Sequence, residues 1–370
     1  MCSTIGALAL LAGALAPVAE AAIRAREAQT RYRSVLTELA SDGIVPALDS
    51  LASLEAEAVG EHPGRKRIEG FWKLKLGVIR ELLQSQPIEV LIPVIMLHHE
   101  AYYYYMERKD GVLAGHARTM ATELADIFAE QAQTREASVL AGWVLTSFGA
   151  QLQEMRSLRG STAFYHRAVE WDPSNRLALL NIAINFEKVG EYRPAIESFE
   201  RLLKTWPDYA AAKLRLANCR IRLLGTFQDE VHKQRREWAL RVFQDLSRSN
   251  EADWIRSIAY QEWVRDLLEH GRVNDAEAVL REALDSLHQD QQLKVQLISL
   301  LDRTRRRSEA NALLDSVKNT QYTGDSARQI YDSFPHTGLD QAREKLLVAM
   351  SENMTLLATG VGAVAEDLSP

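Results

Sequence analysis

The chain repeats itself with a step of 34 residues, and that period limits the folds open to it. Gly149, Ala183 and Ala217 each lie one step apart, and Phe148, Ile182 and Leu216 keep the same spacing. Leu145 and Leu179, Ser161 and Ala195, Tyr165 and Phe199, Ala168 and Leu202, and Pro173 and Pro207 follow it too. Recurrence on this scale marks a supersecondary unit that cannot bury its apolar face alone and stacks on copies of itself. A small residue midway along a first helix lets a second helix approach closely, and larger apolar residues at helical spacing fill the seam. Gly190, in Val189-Gly190-Glu191-Tyr192, stops one helix with a left-handed cap, and Pro173 and Pro207 end helices whose ladder they cannot continue.

The segment Asn175–Asp208 (NRLALLNIAINFEKVGEYRPAIESFERLLKTWPD) carries Leu, Ile-Ala, Phe, Gly-x-Tyr, Ala-Ile, Phe and Pro landmarks in order. It resembles the tetratricopeptide repeat family, with Leu202 where an Ala is customary. The resemblance implies an all-α fold, a right-handed superhelical solenoid of antiparallel helix hairpins. It continues through Tyr209–Leu224 and Arg236–Leu246, where Thr226–Lys233 lengthens the connection. Trp254–Gly271 pairs with Asn274–Leu284, and Gln292–Arg303 with Ser308–Val317, where Arg305-Arg306-Arg307 replaces the turn glycine. Family motifs cover residues 141–317 and the array is expected over 137–317.

Outside the array the pattern is still helical. Ala25–Leu39, Ile44–Val59, Glu69–Leu83, Ile88–Lys109 and Val112–Gln131 read as amphipathic helices, punctuated by Asp42-Gly43, His62-Pro63-Gly64, Pro87 and Asp110-Gly111. Residues 22–136 are expected to be degenerate hairpins or a helical cap, and 318–370 a C-terminal cap and tail with one helix at Leu339–Met350. Sparse Gly and Pro (19 and 10) and abundant Leu, Ala, Glu and Arg support the helical reading.

Ile5–Val18 is a charge-free run ending in Ala19-Glu20-Ala21, a small-x-small pattern. It is too short for a stable bilayer span and reads as a signal peptide over 1–21, although no Lys or Arg precedes it. The expectation is a periplasmic or secreted protein without a transmembrane segment after cleavage, the alternative a cytoplasmic scaffold with an uncleaved N-terminus. Cleavage would remove Cys2 and leave Cys219 alone, so packing rather than a disulfide must stabilise the fold.

A net charge of −6 and a pI near 5.9 argue against nucleic acid as a primary partner. No phosphate-binding glycine loop, paired-cysteine zinc spacing or nucleophile elbow occurs, so no cofactor and no enzyme activity are expected. The cluster His98, His99, Glu100 and His116 is the alternative, a metal or catalytic site. Adjacent histidines on a helix diverge by about 100°, and the workable i, i+4 spacing is missing. Tyr102–Tyr105 must face nearly every direction of a helix, so some of these rings are buried and at least one is exposed.

By the resemblance, the first helix of each hairpin lines a concave groove that holds a peptide or partner protein. The residues beside the core positions are Asn181, Ile184, Lys188, Arg215, Asn218, Arg222, Gln261 and Arg265, with Ser147, Leu180 and Glu262 nearby. Asn181 and Asn218 would bond a peptide backbone, and the arginines would meet carboxylates. The family's carboxylate clamp is not expected, because Ile184 stands where that clamp needs an Asn.

Overall fold

A computed structural model describes residues 2–59, 65–224 and 230–318. Among these residues there are fifteen α-helices, one 3₁₀ turn and no strand. The expected C-terminal cap and the helix at 339–350 lie outside the described residues. The chain divides into two compact units, each taken by itself below. Among the described residues, unit 1 holds 2–148 and 170–173, and unit 2 holds 149–169 and 174–318.

Unit 1 is built on α1 (Cys2–Asp42), α2 (Ile44–Val59), α3 (Arg65–Ser85), the turn Ile88–Val90, α4 (Leu91–Glu107) and α5 (Gly111–Ala132). The expected helices are all present, and α1 runs well beyond Ala25–Leu39 towards the N-terminus. The charge-free run lies within its backbone. Helix α1 packs on α2, α3 and α4, α2 on α3 and α4, and α5 on α3 and α4. The core draws Tyr32, Leu36, Leu51, Leu54, Ile79 and Leu82 together with nearly the whole of α4. Tyr102 and Tyr105 are buried there, while Tyr103 and Tyr104 are half-buried, so none of the four is exposed to the extent expected, because neighbouring helices cover part of every face of α4.

Helices α6 (Arg135–Glu154) and α7 (Leu158–Trp171) lead into four hairpins: α8 (Arg176–Lys188) with α9 (Tyr192–Thr205), α10 (Ala210–Leu224) with α11 (Glu230–Ser247), α12 (Asp253–Glu269) with α13 (Val273–Ser286), and α14 (Gln291–Arg303) with α15 (Arg307–Lys318). From α8 to α15 each helix packs on the next, and α10 also touches α8 and α12. Helix α11 begins at Glu230, six residues before the expected Arg236, so residues 230–233 of the long connection are helix. The small and aromatic repeat positions do meet at the seams: Ala183, Ala195 and Phe199 share one core cluster, and Ala217, Ala239 and Phe243 the next.

Local chemistry sets the helix ends. The Asp110, Asn175 and Asp290 side chains each accept a hydrogen bond at 3.0 Å from the amide three residues on, which satisfies an orphan donor of α5, α8 and α14. At the other end, Arg156, Gly190, Gly271 and Arg305 all adopt left-handed backbone, with φ of 60°, 81°, 71° and 62°. The first two and the last two are one repeat step apart. Each closes a paired cap: its own amide bonds the carbonyl three residues back, and the next amide bonds the carbonyl five residues before it. The arginine turn therefore keeps the glycine geometry, with a side chain in a region that side chains resist.

Candidate functional site

The first helices of unit 2 line two cavities. One, of about 820 Å³, is walled by Gln153, Glu154, Arg156, Glu187, Lys188, Tyr192, Arg215 and Arg222, with Leu158 and Val189 on its apolar side. It brings together the C-terminal ends of α6, α8 and α10, which places four cations beside two carboxylates. The second, of about 610 Å³, is lined by Gln261, Glu262, Arg265, Glu269, Gln296 and Arg303 of α12 and α14. Its two cations face two carboxylates, so it has no excess of either sign.

Within the first cavity Arg215 donates to Glu187 at 3.0 Å, and both side chains are almost fully buried. Partial burial raises the Glu154 carboxyl above its ordinary range. Asn218 Oδ1 accepts from Arg222 Nε at 3.2 Å and from Arg265 Nη2 at 3.3 Å. One amide therefore holds a cation of each cavity in place. Arg265 also pairs with Glu262 and lies 3.9 Å from Glu269. Burial raises the Glu262 carboxyl, against the pull of Arg265 and Arg222.

The predicted groove residues divide into two groups. Lys188, Arg215, Arg222, Gln261 and Arg265 line the cavities. Asn181, Ile184, Leu180 and Asn218 do not, and all four are buried. Ile184 and Leu180 belong to the core cluster with Phe199 and Leu216. The physical reason is that α8 is covered by α9 on one side and α10 on another, so little beyond its C-terminal end stays open. Asn218, expected to bond a peptide backbone, is buried with its Oδ1 held by two arginines. Sequence reasoning missed Arg156, although its place one repeat step before Gly190 marks it as the turn residue beside the groove. Cys219 is a core residue whose thiol is pushed up by burial.

Folding divides the histidine cluster, with His98 and His116 in one buried network and His99 in another. His98 points into the unit 1 core and bonds the Tyr32 hydroxyl at 2.9 Å. His99 Nε2 meets Ser147 Oγ at 2.8 Å and its Nδ1 lies 3.4 Å from Glu100. This Ser147–His99–Glu100 row has the order of a nucleophile, base and orienting acid. The hydroxyl, however, also bonds the Val144 carbonyl at 2.9 Å, and Ser147 sits inside α6, where the surrounding amides are spent in the helix ladder. The helix thus offers no pair of free amides beside Ser147 to stabilise an oxyanion. Among the described residues no group of three or more His, Cys, Asp or Glu side chains is placed to hold a metal ion. No helix among them is long and apolar enough to cross a membrane.

These features define an all-α protein with tetratricopeptide-type helical hairpins. No family model and no curated protein matches the chain. Among solved structures it is similar to a thermophilic TPR protein of Thermus thermophilus, at 22% identity over 53% of this chain and 100% of that one, with a TM-score of 0.42. It is also similar to a tetratricopeptide repeat protein of Parabacteroides merdae, at 16% identity over 71% and 98%, with a TM-score of 0.43. A third similarity is to PilF of Pseudomonas aeruginosa, at 16% identity over 64% and 94%, with a TM-score of 0.40.

Proposed function

We propose that the chain is a non-catalytic scaffold that binds an acidic segment of a partner protein against the first helices of unit 2. The observation that supports this is the cavity at the ends of α6, α8 and α10. Arg156, Lys188, Arg215 and Arg222 there outnumber Glu154 and Glu187, beside the exposed apolar side chain of Val189. Such a surface favours carboxylates flanked by apolar residues, because cations that are already oriented lose little entropy on binding. The second cavity, balanced in charge, extends the contact to the later first helices, α12 and α14.

The test is a panel of acidic peptides and their Glu-to-Gln counterparts, titrated against the wild-type chain and the Lys188→Ala/Arg222→Ala variant. Binding should prefer the acidic members, weaken as salt is raised, and fall at least about tenfold in the variant, the equivalent of one charge-assisted hydrogen bond. Equal binding of acidic and neutral peptides, or an unchanged variant, overturns the reading.

The proposal includes export, with residues 1–21 removed as a signal. The charge-free run and Ala19-Glu20-Ala21 support it. N-terminal sequencing of the natural protein should begin at Ala22; a natural protein that keeps residues 1–21 favours the cytoplasmic scaffold.

A further inference from the structure

Five helices of unit 1 converge on one buried polar network. Glu55 of α2 and Lys75 of α3 form an ion pair whose side chains are both completely buried. Tyr105 of α4 donates to the other Glu55 oxygen at 2.6 Å. His116 of α5 places Nε2 3.8 Å from Glu55. Lys75 Nζ lies 5.9 Å from the ring centre of Tyr32 in α1 and 5.1 Å from that of Phe71 in its own helix. Tyr32 in turn bonds His98 of α4.

The network has no place for another proton. His98 Nδ1 and His116 Nε2 are buried and have no hydrogen-bond partner among the described residues. An imidazolium at either position would be desolvated and would face the Lys75 ammonium. The carboxylate of the network, Glu55, is already shared between Lys75 and Tyr105. Burial first, and Lys75 second, push His116 down to about 2, and the same causes with His116 itself hold His98 well below the ordinary histidine range.

We propose that unit 1 is an acid-opened clasp, in which protonation of His98 or His116 is incompatible with the closed α1–α5 packing and shifts the unit towards a loosened state. The sign follows from linkage. A histidine whose folded value is depressed stabilises the closed state fully above the unfolded value of about 6.5, and that contribution is lost as pH falls below it. For each histidine the open state gains up to about tenfold per pH unit in this window. The two histidines sit on neighbouring helices α4 and α5, so the loss concentrates at one seam.

Hydrogen exchange of the full chain from pH 7.5 to 4.5, corrected for intrinsic rates, tests the clasp. Protection of α4 and α5 should fall steeply below about pH 6.5, by up to a hundredfold per unit when both histidines act, while α8 and α9 change far less. His116→Leu and the double variant His98→Gln/His116→Leu should flatten the pH course of α4 and α5. A wild-type α4–α5 course parallel to that of α8–α9 overturns the proposal whether or not the variants fold. An unflattened course in folded variants overturns it as well.

Discussion

Units 1 and 2 are both helical, but they place their charges differently. In unit 2 ion pairs lie along single helices and also join one hairpin to the next at helix edges. Arg248 grips Glu282 at 2.7 and 2.9 Å, Arg281 reaches Glu309 at 3.1 Å, and Arg306 reaches Glu277 at 2.7 Å. The most buried of its pairs, Arg215–Glu187, borders the charged cavity. Unit 1 instead confines Lys75, Glu55 and two histidines to its interior, linked to five helices. A seam copied from hairpin to hairpin needs only a small residue, an aromatic and edge charges. A core built once can hold a network that specifies a single arrangement, at the expense of tolerance to any change in it.

The largest effect should come from cutting that network. Lys75→Met removes the cation and leaves the Glu55 carboxylate buried with only Tyr105 and a neutral histidine nearby. Loss of one partner of a fully buried pair costs about 3–5 kcal/mol. Adding Glu55→Gln to Lys75→Met should recover a substantial part, because the stranded charge is gone and the amide can still meet Tyr105. Urea titration of the three proteins, followed by exchange of α4 and α5, measures both steps. A loss below about 1 kcal/mol for Lys75→Met would mean that the interior of unit 1 is no more constrained than the edges of unit 2.

A smaller effect separates positions within the repeat. An added Cβ at Gly149 would meet the Tyr165 ring at 2.6 Å, so Gly149→Ala should cost about 1–3 kcal/mol through overpacking. Ala183, one step on, already carries a methyl group in the core cluster with Phe199, and there the opposite change, Ala183→Gly, should cost about 1 kcal/mol through helix propensity and lost packing. Thermal melts of the two variants test whether one register position has opposite size limits in successive hairpins. Equal tolerance of Ala at both would show that the α6–α7 crossing relaxes.

The same contrast explains what could be read from the sequence. Unit 2 was legible because each seam is local and recurs, so Gly149, Ala183 and Ala217 announce one another. Cavity lining was legible where a side chain lies at a helix end, as with Lys188 and Arg222. It was not legible at Asn181 and Ile184, because periodicity gives the angle of a residue around a helix and not how many neighbours cover that angle. Unit 1 gave helices but not contacts. His98 and His116 drew notice for metal chemistry, while their real surroundings come from Tyr32, Glu55 and Lys75 on three other helices. A signal was present: Lys75 stands in the apolar stripe of Phe71, Ile79 and Leu82, and Glu55 in that of Leu51 and Leu54. A charge in such a stripe points to a buried partner without saying which one.

The smallest effect should be alike in both units, because it belongs to the backbone alone. Lys109 of unit 1 and Arg305 of unit 2 both hold φ near 60° at a helix end, and each closes the same paired cap, Asp110 N to Tyr105 O at 3.0 Å and Arg306 N to Leu301 O at 2.8 Å. A non-glycine residue in left-handed backbone costs about 1–2 kcal/mol, and glycine returns about 0.5–1 kcal/mol of that as lost chain entropy. Lys109→Gly and Arg305→Gly should therefore each stabilise by up to about 1 kcal/mol, read as a small rise in denaturation midpoint with an unchanged slope. Gly271 already occupies this position one hairpin before Arg305, which shows that the geometry accepts glycine. If Arg305→Gly instead destabilises, the arginine side chain holds the turn in a way that Lys109 does not, and the cap is no longer a purely local device shared by the two units.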